Sequence, residues 1–188
     1  MRSLLLYSAL CALGASTFAA STGFAASPVP RPAGELEVVD SAGKHLLSSY
    51  KGKVVVVQFL LTTCSHCQAC SQLLNTLQAE YGPRGFQALG AAVNEATPAM
   101  AKDYATQFAP RFPVGAMLRD PMLAFMGQSV LDRLGFPQIA VVDRKGQIRE
   151  QTSTGLDQHQ PLQDETHLRA LIEKLLAEGT SMSTAKAR

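Results

Sequence analysis

Two cysteines separated by two residues, Cys64-Ser65-His66-Cys67, are the pattern with the clearest chemistry in this 188-residue chain. Dithiol exchange needs one thiolate that attacks a disulfide and a second thiol near enough to displace it from the mixed intermediate, and this spacing at a helix start supplies both. Free N–H groups and the macrodipole at a helix N-terminus stabilise negative charge, so a Cys-x-x-Cys thiol there can have its pKa lowered to roughly 3.5–7.5. On this reading Cys64 is the exposed nucleophile. Cys67, one turn further on, is the shielded resolving thiol.

His66 and Cys70 extend the cluster. A protonated or hydrogen-bonding His66 would favour a neighbouring thiolate and make the disulfide more oxidising, whereas the plainer reading is an exposed histidine that only shapes access. Cys70 shares helical spacing with Leu73, Leu74 and Leu77, which reads first as a buried core thiol and second as a third redox thiol beneath the pair. A zinc site would need a fourth ligand, and adjacent His66 and Cys67 on a helix do not easily converge on one tetrahedral ion. An iron–sulfur site would want a further cysteine where Leu74 stands. No metal and no separate cofactor are expected, because the pair is itself the redox group.

The flanking pattern must place those thiols. Val54 to Leu61 is an almost unbroken β-branched and apolar run, as in a strand buried on both faces. The cysteines follow it directly, where a central strand hands over to a helix. Phe86 to Val93 reads as the next strand, and Thr97-Pro98 opens a helix with a capping hydroxyl and a first-turn proline. Phe112 to Leu118 reads as a short strand and Pro121 to Leu131, including Gly127, as a helix. Ile139 to Val142 and Ile148 to Thr152 form a hairpin about Asp143-Arg144-Lys145-Gly146. A last helix from about Asp164 carries Leu168, Leu171, Ile172, Leu175 and Leu176. Leu36–Val39 and His45–Leu47 make an N-terminal hairpin. The order implies an α/β fold with a central mixed sheet flanked by helices on both faces.

The ends read differently. Residues 1–26 combine Arg2, an uncharged apolar run from Leu4 to Phe18 and small residues from Ala19, the pattern of a secretory signal. Without that leader Cys11 is lost, and three cysteines remain within seven residues. That is no disulfide framework; it suits reactive thiols in an oxidising compartment. Residues 27–34 read as a linker, 35–178 as the domain and 179–188 as a flexible tail. The near balance of charge, net +2, predicts no nucleic-acid or anionic-membrane partner, since either needs clustered positive charge. A membrane partner is expected only if the leader stays attached.

Strand, Cys-x-x-Cys, helix, then Gly135-Phe136-Pro137-Gln138 ahead of Ile139–Asp143 and the Lys145-Gly146 turn resembles the thioredoxin superfamily. Within it, the Lys51-Gly52-Lys53 lead-in and the helix and strand inserted between Glu95 and Leu118 resemble the exported TlpA-like branch. The resemblance spans roughly Leu36 to Leu176 and implies a thioredoxin-like fold and a thiol–disulfide oxidoreductase. It also implies that Pro137 is a cis-proline facing the disulfide and that the backbone of Phe136 pairs with an extended substrate chain. Protein thiols or disulfides would be the substrates, with an unidentified partner recharging the pair, in an exported protein of the bacterial periplasm. The chain departs from the family at Thr63, where tryptophan is usual, at Gln58, where thioredoxins carry a buried acid, and at Cys70, where some TlpA-like reductases carry glutamate. Cys-x-His-Cys is also similar to the DsbA site, but Val93 to Gly135 is short for its helical domain. Competing chemistries are a peroxiredoxin-like peroxidase, whose Pro-x-x-x-Thr-x-x-Cys signature is missing at Val57 and Leu61, and a copper(I) chaperone that uses the three soft thiols.

Overall fold

The structure, a computed structural model, describes residues 27–109, 111–157 and 160–186; the leader read at 1–26 lies outside the described residues. In chain order the strands are β1 (Arg31–Pro32), β2 (Glu37–Asp40), β3 (Gly43–Leu46), β4 (Val54–Leu60), β5 (Phe86–Ala92), β6 (Val114–Ala116), β7 (Gln138–Val142) and β8 (Gln147–Gln151). The helices are α1 (Ser65–Tyr81), α2 (Pro98–Phe108), α3 (Arg119–Met126) and α4 (Glu165–Lys186).

Among the described residues, all eight strands join one mixed sheet in the order β1-β8-β7-β4-β5-β6-β2-β3. β4 runs parallel to β5 and antiparallel to β7, and all seven of its residues are buried. The two-residue period of the strand then divides them. Val54, Val56 and Leu60 join Cys67, Leu74 and Leu77 of α1, Tyr104 of α2 and Leu168, Ile172 and Leu175 of α4. Val55, Val57 and Phe59 face the other way, toward Met122, Phe125 and Met126 of α3 and Ile148 of β8. Full burial of a side chain such as Phe59 or Leu60 contributes about 1.5–3 kcal/mol, so the strand that leads to Cys64 is anchored from both sides.

Parallel pairing of β4 with β5 requires a crossover, and α1 provides it. α2 performs the same service between β5 and β6, which are also parallel. Thr97 caps α2 by accepting the amide of Met100 at 3.2 Å. The insert is tied to the N-terminal hairpin where Ala116 of β6 pairs with Val39 of β2. A Cβ at Gly115 would lie 2.6 Å from the carbonyl oxygen of Val39, so the close approach of these strands depends on that glycine.

Three boundaries differ from the sequence reading. α3 starts at Arg119 and stops at Met126, because Gly127 adopts a left-handed φ of 62° and closes the helix as glycine commonly does. Ser129 to Asp132 then form a turn, with the Ser129 amide donating to the Asp132 carboxylate at 2.7 Å. The stretch read as a linker contributes β1, which pairs with β8. Arg31 secures it by donating to the Phe125 carbonyl and the Gln151 side chain, both at 2.8 Å. Finally, α4 continues to Lys186, through residues read as a tail, with no proline on the way to stop it. Among the described residues no helix is long and apolar enough to cross a membrane.

Candidate active site

Cys64 stands between β4 and α1 with an extended backbone (φ −87°, ψ 118°) and acts as the N-cap of α1. Its Sγ accepts the amide of Cys67 at 3.3 Å, which directs an otherwise unpaired helix N–H at the sulfur and supports negative charge there. The Cys64 amide donates to Leu61 and its carbonyl accepts the Gln68 amide, at 3.1 and 3.0 Å. Cys64 is partly exposed and Cys67 is buried. Burial, followed by the hydrogen bond with Cys64, pushes the Cys67 thiol well above the usual thiol range. The pair therefore has one accessible sulfur and one sheltered, protonated sulfur.

Cys70 is buried one turn further along, 7% exposed, and burial followed by charge at Cys64 pushes its thiol up to about 12. Neighbours three apart on a helix have Cβ atoms about 5–6 Å apart, whereas a disulfide brings them to about 3.5–4.5 Å. Cys67 and Cys70 both lie within α1, so bridging them would distort the helix; Cys64, outside the helical φ/ψ region, is the natural partner of Cys67. His66 is exposed on the first turn.

The fourth side of the site is the loop before β7. The Phe136–Pro137 peptide is cis, and the Cys64 thiol approaches the Phe136 carbonyl at 3.8 Å. Gln138 and Gln163 hold this loop, donating to the carbonyls of Gly135 at 2.6 Å and Pro137 at 3.2 Å. The Gly135 amide donates to Gly155 at 2.7 Å. Cys64, Cys67, Phe136 and Pro137 are thus one constellation, with Cys70 beneath it and His66 at its rim. Among the described residues no group of three or more His, Cys, Asp or Glu side chains is placed to hold a metal ion.

Against this geometry, the Redoxin family model matches residues 25–172. The chain belongs to the Redoxin family. It is similar to the thiol-disulfide oxidoreductase ResA of Geobacillus thermodenitrificans (strain NG80-2), 29% identical over 153 residues that cover 80% of this chain and 84% of that one. In structure it is similar to the thioredoxin domain of a thiol-disulfide oxidoreductase from Bacteroides vulgatus, with a TM-score of 0.62 at 21% identity over 80% of this chain and 99% of that one. A thiol:disulfide interchange protein from Bacteroides sp. gives 0.62 at 20% identity, over 80% and 91%. The fold is thioredoxin-like and the chain is an oxidoreductase of the thiol–disulfide type, as the TlpA-like resemblance in its sequence implies.

This Redoxin-family chain also places residues at the site that its sequence did not single out. Asn94 accepts the Thr62 amide at 3.2 Å and donates to the Thr62 hydroxyl at 3.0 Å, bracing the segment that carries Cys64. The signal for it was the β4–β5 register, in which Leu60 faces Ala92 and the next residues of both strands emerge together. Gln58, which the sequence did mark as a departure from the family, joins Ser71 and Tyr104 in a buried polar chain behind Cys67.

Proposed function

We propose that this chain exchanges disulfides with protein thiols outside the cytoplasm, through a Cys64–Cys67 redox pair. The observation that carries the reading is the partly exposed Cys64 sulfur receiving the Cys67 amide at 3.3 Å while facing the Phe136–Pro137 loop. In the reductive direction the Cys64 thiolate attacks a substrate disulfide and expels one substrate thiolate. Cys67 then loses its proton and attacks the Cys64 sulfur, the second substrate thiolate leaves, and two electrons have passed from the pair to the substrate. The oxidative direction reverses these steps.

In this reading the backbone of Phe136 pairs with an extended substrate segment beside Pro137. His66, exposed above the pair, favours the thiolate and raises the oxidising power of the disulfide. The leader-like composition of residues 1–26 supports export, and the reading needs a separate donor or acceptor to recharge the pair.

The test is an equilibrium redox titration of the protein with Cys64→Ser and Cys70→Ser controls. A two-electron couple that vanishes in Cys64→Ser supports the assignment, and a potential near about −120 mV marks an oxidant or near about −270 mV a reductant. Exchange activity that survives Cys64→Ser defeats it.

A further inference from the structure

The Cys67 carbonyl ends a run of buried polar groups that carries no charge. Gln58 is fully buried on β4, and its Nε2 donates to the Cys67 carbonyl at 2.9 Å. Its Oε1 accepts the Ser71 hydroxyl at 2.7 Å, and the Ser71 oxygen lies 2.9 Å from the Tyr104 hydroxyl of α2.

The direction of every hydrogen in this run follows from one end. The Cys67 carbonyl can only accept, so Gln58 must turn its amide nitrogen toward it and its oxygen toward Ser71. Ser71 has a single hydrogen, and the oxygen of Gln58 claims it. Tyr104 must then donate to Ser71. The run reads Tyr104 to Ser71 to Gln58 to Cys67, with no alternative orientation that keeps all the bonds.

Three elements are joined this way at the turn that carries Cys67: the central strand, α1 itself and α2. The Cys67 carbonyl is already the helical acceptor for the Ser71 amide four residues on, so both ends of that turn are gripped. None of Gln58, Ser71 or Tyr104 offers a base. The first two do not titrate, and burial holds the Tyr104 hydroxyl above its ordinary range. The titratable groups around Cys67 are Cys64 at the N-cap of α1, Cys70 within α1 and Tyr104 on α2. From the other elements of the same cluster, β7 brings Ile139 and Val141, and α4 brings Leu168 and Ile172.

Resting on the dithiol function above, we propose that Gln58, Ser71 and Tyr104 are positioning residues that form a neutral clamp, fixing Cys67 for attack on Cys64 and leaving the resolving step governed by the thiols alone. Such a clamp sets where the second sulfur sits without adding a buried acid that titrates with the surroundings.

The probe is dithiobis(nitrobenzoate), mixed with the reduced full chain in stopped flow from pH 5 to pH 9. Attack by Cys64 releases one coloured aryl thiolate and leaves an aryl–Cys64 mixed disulfide. Loss of the Cys67 proton and attack on the Cys64 sulfur releases the second thiolate and closes the disulfide. Ser71→Ala should slow the second release about tenfold relative to the first, the cost of a broken buried hydrogen bond, and Tyr104→Phe should act in the same direction more weakly. Gln58→Glu should give the second release a new inflection between about pH 5 and pH 8, because a desolvated carboxyl facing a carbonyl titrates there.

Equal ratios of the two releases in Ser71→Ala, Tyr104→Phe and the natural chain would overturn the clamp. So would a Gln58→Glu profile superimposable on that of the natural chain; if that variant does not fold, Ser71→Ala and Tyr104→Phe decide. Survival of the two-electron couple in an equilibrium redox titration of Cys64→Ser would instead overturn the dithiol function itself, so the two failures are distinct.

Discussion

The amide of Cys67 donates to the sulfur of Cys64 across 3.3 Å, so the residue expected to close the disulfide already holds the sulfur it will attack. That one bond makes Cys64 both the cap of α1 and the candidate nucleophile. Replacing it separates the two roles. Serine is a better N-cap than most residues, so Cys64→Ser should leave stability within about 1 kcal/mol, measured by thermal melting of the reduced protein, while exchange with a protein disulfide falls to background.

Asn94 reaches Cys64 only through Thr62, yet it makes two hydrogen bonds to that residue. Asn94→Ala should therefore loosen the approach to the nucleophile and slow exchange about tenfold, the size of effect a small misplacement produces. Rates that match the natural chain, in a variant whose melting temperature has dropped, would assign Asn94 to stability alone.

The buried thiols make the reduced chain sensitive to alkali. Burial raises Cys67 and Cys70 above their ordinary value of 9.0, Cys70 to about 12. As pH rises, the unfolded chain releases these protons before the folded one and gains free energy by doing so. The stability they contribute is whole below pH 9 and drains away toward about pH 12. Denaturant midpoints of the reduced protein should fall over that window. Cys70→Ala should fall less steeply, and so should the oxidised protein, in which Cys67 no longer titrates.

His66→Ala should make the disulfide less oxidising by on the order of 30 mV, the equivalent of about 1.4 kcal/mol for a two-electron couple. Equilibration against glutathione reads this directly. A potential equal to that of the natural chain would leave His66 with no part in tuning the pair.

Gly115→Ala should destabilise the fold by about 1–3 kcal/mol. The added methyl would meet the Val39 carbonyl at 2.6 Å, where the insert meets the N-terminal hairpin. Chemical denaturation measures this, and an unchanged midpoint would show that β2 and β6 can separate at little cost.

The legible parts of the fold were those that depend on neighbours in sequence. Val54–Leu60 reads as a buried strand because every position is apolar except Gln58, and Thr97-Pro98 reads as a helix start because a cap and a first-turn proline are local devices. Gly127 misled because a glycine inside an apolar stretch is compatible with both a helix interior and a helix end; only its left-handed φ decides. Arg31-Pro32 reads as a linker because the strand that recruits it, β8, lies more than 100 residues away. At the site, Cys64, Cys67 and the Phe136-Pro137 loop announce themselves through motifs and Gln58 through the acid it replaces, whereas Asn94, Ser71 and Tyr104 are ordinary residues. Their meaning comes from strand register and from α2 lying against α1.

Sheets left open at an edge invite a neighbouring molecule to add a strand. Here β1 occupies one border with two residues, one of them a proline that has no N–H to offer. So short a border offers little ladder for another molecule to extend, which guards the sheet against runaway self-association.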